Sequence, residues 1–139
     1  MSKRDILKFE GCSKAWGQAL GDANLALDDL SFVETHDCFT IAELIEYEAM
    51  GLTKEGEGAR AVLEGWTEMG GKLPVNPSGG LKAKGHPIGA TGVSMHVLTA
   101  MQLTGTAGEI QVKNAEIGGI FNMGGAAVAN FVSVMQAMK

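Results

Sequence analysis

A chain of 139 residues with 45% hydrophobic and 19% charged residues has room for one soluble globular domain with a modest core. Its net charge of −5, without a Lys/Arg cluster, argues against nucleic acid as a partner, and no apolar run approaches the roughly 18 residues of a membrane-spanning helix. The two cysteines form neither a disulfide framework nor a zinc-binding pattern, so we expect a protein of the reducing cytoplasm.

The first half of the chain predicts three helices and one strand. Residues 1–12 are polar and irregular, so we expect a tail or the remnant of a preceding element there. Apolar spacing and capping residues predict helices over 13–20, 40–51 and 58–66, and a β-rich run predicts a strand over 31–35. The acidic residues of the second helix are expected on its solvated face: Glu43, Glu46 and Glu48.

The second half predicts a loop, a helix and a hairpin. Residues 70–80 form a loop without periodicity, and loops of this kind usually carry function. A helix is expected over 86–105. Its inward face is predicted to consist of Val93, Val97, Leu98 and Met101. Strands over 115–122 and 126–135, joined by an M-G-G turn, give a good hairpin signal.

Strands that alternate with helices and close in a hairpin indicate an α/β sheet covered by helices. We expect one domain over 13–139, without internal repeats. Only one strand precedes the hairpin, so the sheet looks incomplete as a free-standing unit. An edge this bare should be paired with something.

One histidine lies in a glycine-rich stretch that reads N-P-S-G-G-L-K-A-K-G-H-P-I-G-A-T-G over 76–92. His86 follows Gly85 and precedes Pro87, and proline suits the first position of a helix. A helix N-terminus favours a neutral imidazole, which can act as a base or as a hydrogen-bond donor. The alternative is a glycine-rich turn with a structural histidine.

A second motif, H-D-C-F, follows the predicted strand 31–35. His36 and Cys38 would therefore lie at the carboxyl end of a strand, where open α/β sheets usually carry their active groups. The following helix, starting near Thr40, would favour the Cys38 thiolate. With His86 these residues could form an acid/base cluster. A buried cysteine beside a surface histidine, or a metal site made by all three residues, are the alternatives.

The third motif, N-M-G-G over 122–125, forms the predicted hairpin turn. Successive glycine N–H groups in a tight turn can form an oxyanion hole, although an ordinary hairpin turn explains the same residues. Outside the motifs, His96 falls in mid-helix and is expected to be structural. Cys12, near an irregular N-terminus, is interpreted as incidental.

Together the three motifs resemble the C-terminal half of a thiolase, from about Ser13 onward. The G-H-P stretch matches that family closely. H-D-C-F is the form found in the sterol-carrier-protein-2 type, at a position where most thiolases have N-E-A-F. F-N-M-G-G-A-A-V-A-N matches the C-terminal hairpin, where many thiolases have C-x-G-G. The resemblance implies a thiolase-like mixed sheet covered by helices and closing with that hairpin. It also implies a homo-oligomer.

The resemblance implies a role for each matching residue. His86 would activate a nucleophilic cysteine and, beside Gly85, help to bind the thioester oxygen. His36 would order a water or donor in that oxyanion hole. Cys38 would be the acid/base that moves the proton at the α-carbon of the substrate.

The glycine motif departs from the commoner pattern. Asn122 occupies the position of the cysteine that most thiolases use as acid/base, and an amide cannot do that work. The N–H groups around Gly124 and Gly125 would line the second oxyanion hole, which serves the acyl-enzyme.

The family's nucleophilic cysteine comes from an N-terminal half that this sequence does not contain, and Cys12 is not in its motif. The resemblance therefore implies the C-terminal domain of an acyl-CoA thiolase (acetyl-CoA acetyltransferase or 3-oxoacyl-CoA thiolase). Its substrate would be a coenzyme A thioester, without a tightly bound cofactor, and it would need the N-terminal half, on the same or a separate chain, for activity. The alternatives are a non-catalytic binding module and a retro-aldolase of sterol side-chain breakdown that acts with a partner protein.

Overall fold

The computed structural model describes residue 5 and residues 7–138, so the predicted tail over 1–12 lies partly outside the described residues. Short 3₁₀ turns lie at Leu27–Asp29 and Gly108–Ile110. The helices and strands in chain order are α1 (Glu10–Ala23), β1 (Phe32–Glu34), α2 (Thr40–Ala49), α3 (Gly58–Leu63), α4 (Gly80–Lys84), α5 (Thr91–Leu103), β2 (Ile117–Gly124) and β3 (Ala129–Gln136).

The three strands form one mixed sheet in the order β1-β2-β3. Strand β1 runs parallel to β2, with Phe32 opposite Gly118, and β3 returns antiparallel along the whole of β2. This confirms the predicted α/β class and the C-terminal hairpin. The parallel pairing also places the carboxyl ends of β1 and β2 at the same edge of the sheet.

Two consecutive glycines in β2 allow a helix to approach each face of the sheet. A Cβ atom at Gly119 would lie 2.7 Å from the Trp16 ring of α1, and one at Gly118 would lie 2.7 Å from the Thr99 methyl group of α5. Because successive residues of a strand point to opposite faces, α1 covers one face and α5 covers the other.

Helix α1 is longer than predicted and contributes more to the core. It begins three residues before Ser13, and its buried face consists of Cys12, Trp16 and Leu20, at a spacing of four residues. The interpretation of Cys12 as incidental is wrong, because its side chain is fully buried in the main core.

The predicted inward face of the last helix is wrong for its two valines, whereas Leu98 and Met101 are half-buried. Val93 and Val97 are 66% and 53% exposed. The buried positions of α5 are instead mostly polar: Thr91, Met95, Thr99 and Gln102. The Gln102 amide explains part of this choice, because it donates to the Ile110 carbonyl at 2.6 Å and accepts the Val112 N–H at 2.7 Å.

The two edges of the sheet differ. On the outer side of β1, the Val33 N–H donates to the Pro74 carbonyl at 2.9 Å and the Val33 carbonyl accepts the Asn76 N–H at 2.7 Å. This short parallel bridge covers part of one edge, while β3 has no partner strand on its outer side in the described part of the chain. None of the helices described there is both long and apolar enough for a bilayer crossing.

Candidate functional site

The three sequence motifs meet at one cavity of about 1060 Å³. H-D-C-F follows β1 and N-M-G-G ends β2, so the parallel pairing of these strands brings the two motifs to the same edge. The G-H-P loop, which leads into α5, closes a further side. Side chains or backbone of His36, Cys38, His86, Asn122 and Gly124, together with Gly125, line this cavity.

His36 lies buried at the end of β1, and its ring is held by the hairpin strand. The distance between His36 Nδ1 and Asn122 Oδ1 is 2.6 Å. Burial lowers the pKa of His36 below its ordinary value of 6.5, and the hydrogen bond to Asn122 opposes that shift only in part. The ring is therefore a neutral imidazole at neutral pH.

His86 lies beside His36, with 4.8 Å between the ring centroids and the planes nearly perpendicular. Its Nδ1 atom is 2.7 Å from the hydroxyl oxygen of Thr91, and that hydroxyl donates its own hydrogen to the Pro87 carbonyl at 3.1 Å. The Thr91 oxygen must therefore accept from His86 Nδ1–H. In the neutral ring, Nε2 then carries a free lone pair, as a general base requires.

The G-H-P loop differs from the prediction in its local structure. A short helix, α4, precedes His86, and α5 begins only at Thr91, so His86 lies in the turn between two helices and not in a helical first turn. The Thr91 side chain, rather than a helix dipole, determines which His86 nitrogen is free. Gly85 terminates α4, where its N–H donates to the Leu81 carbonyl at 3.0 Å.

Cys38 is half-buried and lines the cavity. Burial raises the pKa of its thiol, and the nearby Glu46 carboxyl adds to the rise, while backbone N–H groups, including that of Phe39, oppose it. The prediction of a favoured thiolate is therefore wrong, because desolvation outweighs the start of α2. A thiol that holds its proton at neutral pH becomes a strong base once deprotonated, which suits proton transfer to and from carbon.

Glu46 contributes to this environment although the sequence reasoning placed it on a solvated face. Its side chain is fully buried and takes a hydrogen bond from the Thr35 hydroxyl. Burial raises the pKa of Glu46 well above its ordinary value. Its position was detectable, since residues 42, 45 and 46 share the inward face of α2. Glu43 and Glu48 are half-buried, and they bind the Tyr47 hydroxyl and the Gly58 N–H.

The hairpin turn presents the glycine motif at the mouth of the cavity. The turn lies slightly later than predicted, because Gly124 still pairs with Ala129 and the Val128 N–H closes the turn onto the Gly124 carbonyl at 3.1 Å. Gly125 and the two alanines after it all have positive φ angles. Gly124 and Gly125 are exposed, so their backbone is accessible from the cavity.

A buried ion pair anchors the G-H-P loop to β1. The Lys84 ammonium group contacts the Glu34 carboxylate at 2.9 Å, and Ser78 donates to the same carboxylate at 2.6 Å. The Asp37 carboxylate accepts the Leu81 N–H at 2.7 Å. Two acidic side chains around H-D-C-F therefore hold α4, and with it the start of the G-H-P loop.

The other candidates lie away from this chemistry. The His96 Nδ1–H donates to the Gly92 carbonyl at 2.7 Å, and its Nε2 is 3.0 Å from the Ser133 hydroxyl, so this ring links α5 to β3. No three His, Cys, Asp or Glu side chains within residues 5 and 7–138 are grouped for metal binding. The cavity instead offers two imidazoles and a thiol, a set suited to proton transfer.

Known proteins are similar to this chain in sequence or in fold. Residues 1–137 match the family described as thiolase C-terminal domain-like. The chain is 46% identical over 123 residues to an acetyl-CoA acetyltransferase of Methanothermobacter thermautotrophicus, a match that covers 88% of this chain and 32% of that protein. It is 43% identical over 130 residues to sterol carrier protein 2 of Homo sapiens, covering 91% of this chain and 24% of that protein.

A third relative is the benzoylsuccinyl-CoA thiolase subunit BbsB of Thauera aromatica, 36% identical over 110 residues, which cover 79% of this chain and 29% of that protein. The chain thus spans about a quarter to a third of the length of these relatives. Among solved structures, the Ltp2-ChsH2(DUF35) aldolase has the same fold, with a TM-score of 0.76 at 21% identity over 92% of this chain and 32% of that one. The chain belongs to the thiolase C-terminal domain-like family.

Proposed function

We propose that this chain is the C-terminal catalytic domain of an acyl-CoA thiolase of the sterol-carrier-protein-2 type. The observation that carries the proposal is the convergence of His36, Cys38 and His86 on one cavity, with the His86 Nε2 lone pair left free by Thr91. In this proposal the cavity takes coenzyme A thioesters, and no tightly bound cofactor is needed.

The first half-reaction is acyl transfer to a cysteine from the N-terminal thiolase half. His86 Nε2 takes the proton of that thiol, and the thiolate attacks the carbonyl carbon of an acyl-CoA. The tetrahedral oxyanion collapses to an acyl-cysteine, and coenzyme A leaves as its thiol with the proton returned by His86. The acyl-enzyme then lies against the Gly124 and Gly125 backbone, whose N–H groups stabilise the second oxyanion.

The second half-reaction forms the carbon–carbon bond. From its minor thiolate form, Cys38 removes a proton from the α-carbon of acetyl-CoA, and the carbanion attacks the acyl-cysteine carbonyl. The C–S bond breaks and 3-oxoacyl-CoA leaves. The released cysteine thiolate then takes back the proton that Cys38 removed, so that Cys38 is again a thiolate. In the reverse, thiolytic direction the Cys38 thiol gives its proton to the departing acetyl-CoA carbanion, and its raised pKa keeps that proton available.

The surface around the cavity supports a partner segment. Five large apolar side chains that line the cavity are mainly exposed and form its apolar rim: Leu7, Phe39, Ile41, Ile88 and Val93. Contiguous apolar surface of this kind marks an interaction site. We propose that the N-terminal thiolase half, on the same or a separate chain, covers this rim and delivers the nucleophile next to His86, within a homo-oligomer.

The test is to isolate the chain with the thiolase half that accompanies it and to assay acetoacetyl-CoA cleavage by coenzyme A. The proposal expects two acetyl-CoA per turnover and an acetylated cysteine in the N-terminal half by intact mass. Binding of acyl-CoA without turnover would favour a non-catalytic module. Release of an aldehyde or ketone from a 3-hydroxyacyl thioester, without acyl-cysteine, would favour a retro-aldolase.

A further inference from the structure

We propose that Asn122 is a positioning residue that fixes His36 as its Nδ1–H tautomer, so that His36 Nε2 enters the reaction as a hydrogen-bond acceptor. The consequence for catalysis rests on the proposed function, whereas the tautomer itself does not. Asn122 occupies the position at which most thiolases carry their acid/base cysteine. Here that position would serve the neighbouring histidine instead.

The geometry at the ring determines the tautomer. The Asn122 carbonyl oxygen lies 2.6 Å from His36 Nδ1, and an amide oxygen can only accept a hydrogen bond. A neutral imidazole has a single N–H group, so that hydrogen is on Nδ1 and the Nε2 lone pair is free. His36 is 5% exposed, which leaves little room for water to replace Asn122 at Nδ1.

The Asn122 amide is itself confined. Its backbone lies in the β2–β3 ladder opposite Phe131. On the other side, a Cβ atom at Gly92 would come within 3.0 Å of Asn122 Nδ2. The first turn of α5 therefore lies beside the nitrogen of the amide, and the His36 ring lies against its oxygen.

Both active-site rings consequently have the same arrangement. His86 also has its hydrogen on Nδ1, bound to Thr91, so in the neutral state both Nε2 atoms are acceptors and neither ring can donate to a thioester oxygen. When the nucleophilic thiol loses its proton, the S–H bond breaks and an N–H bond forms at His86 Nε2. His86 then becomes a donor for the oxyanion, and His36 Nε2 accepts from a water in the same hole.

The tautomer can be measured without substrate, by long-range ¹H–¹⁵N correlation spectra of the complete, histidine-labelled protein. The signals of His36 are assigned by their loss in a His36→Gln variant. We expect the wild-type ring to be protonated at Nδ1 and unprotonated at Nε2. An Nε2–H ring in the wild type overturns the proposal, whether or not the protein proves to be a thiolase.

Two variants test the role of the amide. Asn122→Ala removes the acceptor, so the Nε2–H form should appear in the spectrum. The value of kcat should fall by about 10- to 100-fold with little change in KM, by analogy with the loss of a hydrogen-bond partner that orients a metal-bound histidine. Asn122→Asp places a carboxylate at Nδ1 and should raise the His36 pKa, which moves the acid limb of the pH profile to higher pH.

Asn114→Asp is the matched control, because it makes the same change in a turn before the opposite end of β2. It should leave the His36 spectrum and kcat unchanged. If Asn122→Ala keeps the wild-type tautomer while its melting temperature matches that of the control, Asn122 does not position His36. If the tautomer changes as expected but no thiolase activity exists, the proposed function fails and the positioning role remains.

Discussion

Cys38 combines the two properties that a residue needs to move a carbon-bound proton. Its side chain reaches the cavity that holds both histidines, and burial raises the pKa of its thiol. A base of higher pKa gains more driving force when it removes a proton from a weak carbon acid. Placement and desolvation therefore favour the same role.

We predict that Cys38→Ser blocks carbon–carbon bond formation but spares acylation of the nucleophile. A serine hydroxyl keeps the size of the side chain but is far too weak an acid to exchange protons at neutral pH. The rate of condensation should therefore fall by a factor of about 10² or more. Incubation with acetyl-CoA should still give acetyl-cysteine by mass spectrometry, while acetoacetyl-CoA formation should disappear. Unchanged condensation by the serine variant would remove Cys38 from the mechanism.

At this scale the sequence supplied the residues but not their states. His36, Cys38 and His86 were predictable because strand ends and glycine-rich loops are the usual places for reactive groups. The states of His86 and Cys38 depend on surroundings that periodicity does not identify. Thr91 sets the tautomer of the His86 ring, and burial, with a smaller effect of Glu46, raises the pKa of the Cys38 thiol. The thiolate was predicted from a nearby helix start, and burial reverses that effect.

At the scale of the element, α2 carries a carboxyl group in the core. Burial raises the pKa of Glu46 well above its ordinary value of 4.5, so the folded chain keeps a proton that the unfolded chain releases. Below a pH of about 4.5 the carboxyl group is protonated in both states, so its burial costs no free energy of deprotonation there. The stability of the protein falls as the pH rises from there towards the raised pKa of the folded state.

We predict that Glu46→Gln stabilises the protein at pH 8 and flattens this part of the pH dependence. Glutamine keeps the shape of the protonated carboxyl group and cannot ionise. Urea unfolding at pH 5 and pH 8 measures the effect, and Glu68→Gln, on the exposed surface, is the control. Equal slopes for wild type and Glu46→Gln between these two pH values would contradict the assignment.

A second prediction for this scale concerns Gly119 of the glycine pair in β2. Gly119→Ala should destabilise the fold by about 1–3 kcal/mol, because its Cβ atom would lie 2.7 Å from Trp16 and 2.9 Å from Leu30 in a packed core. Gly17→Ala is the matched control, since no heavy atom lies within 4 Å of its added Cβ. It should stabilise α1 by about 0.5–1 kcal/mol. Denaturant unfolding compares the two, and a neutral Gly119→Ala would mean that α1 can move away from the sheet.

The features that were not predicted from the sequence depend on contacts between residues far apart in the chain. Helix α4 has only five residues, and the Asp37 side chain, more than 40 positions earlier, accepts the Leu81 N–H. The buried positions of α5 are mostly polar, in part because the Gln102 amide accepts the Val112 N–H. Hydrophobic periodicity predicted valines on the inward face, since a single sequence contains no record of such contacts.

At the scale of the whole molecule, the cavity that holds both histidines and Cys38 opens onto an apolar rim. The chain spans about a quarter to a third of its relatives, and the rim lies where the proposed mechanism needs a nucleophile. The fold class and the hairpin were predictable from the alternation of strands and helices. The rim was not, because exposure of Phe39 or Val93 depends on how α2 and α5 are oriented.

We predict that Ile88→Glu weakens binding of the N-terminal thiolase half by at least about tenfold. Ile88 is fully exposed at the cavity, and a charge there would be desolvated in the interface. Leu63→Glu is the control, because Leu63 is an exposed apolar residue of α3 that does not line the cavity. Calorimetric titration of the separately produced halves measures both, and equal affinities would place the interface elsewhere.

The protonated state of Cys38 has a consequence for life under oxidative stress. Peroxides attack thiolates, whereas a desolvated thiol with a raised pKa reacts slowly. Cys12, the other cysteine of the chain, is sealed in the core with its pKa raised by burial as well. We therefore expect both cysteines to react slowly with hydrogen peroxide at neutral pH, which intact mass after exposure to the oxidant would measure.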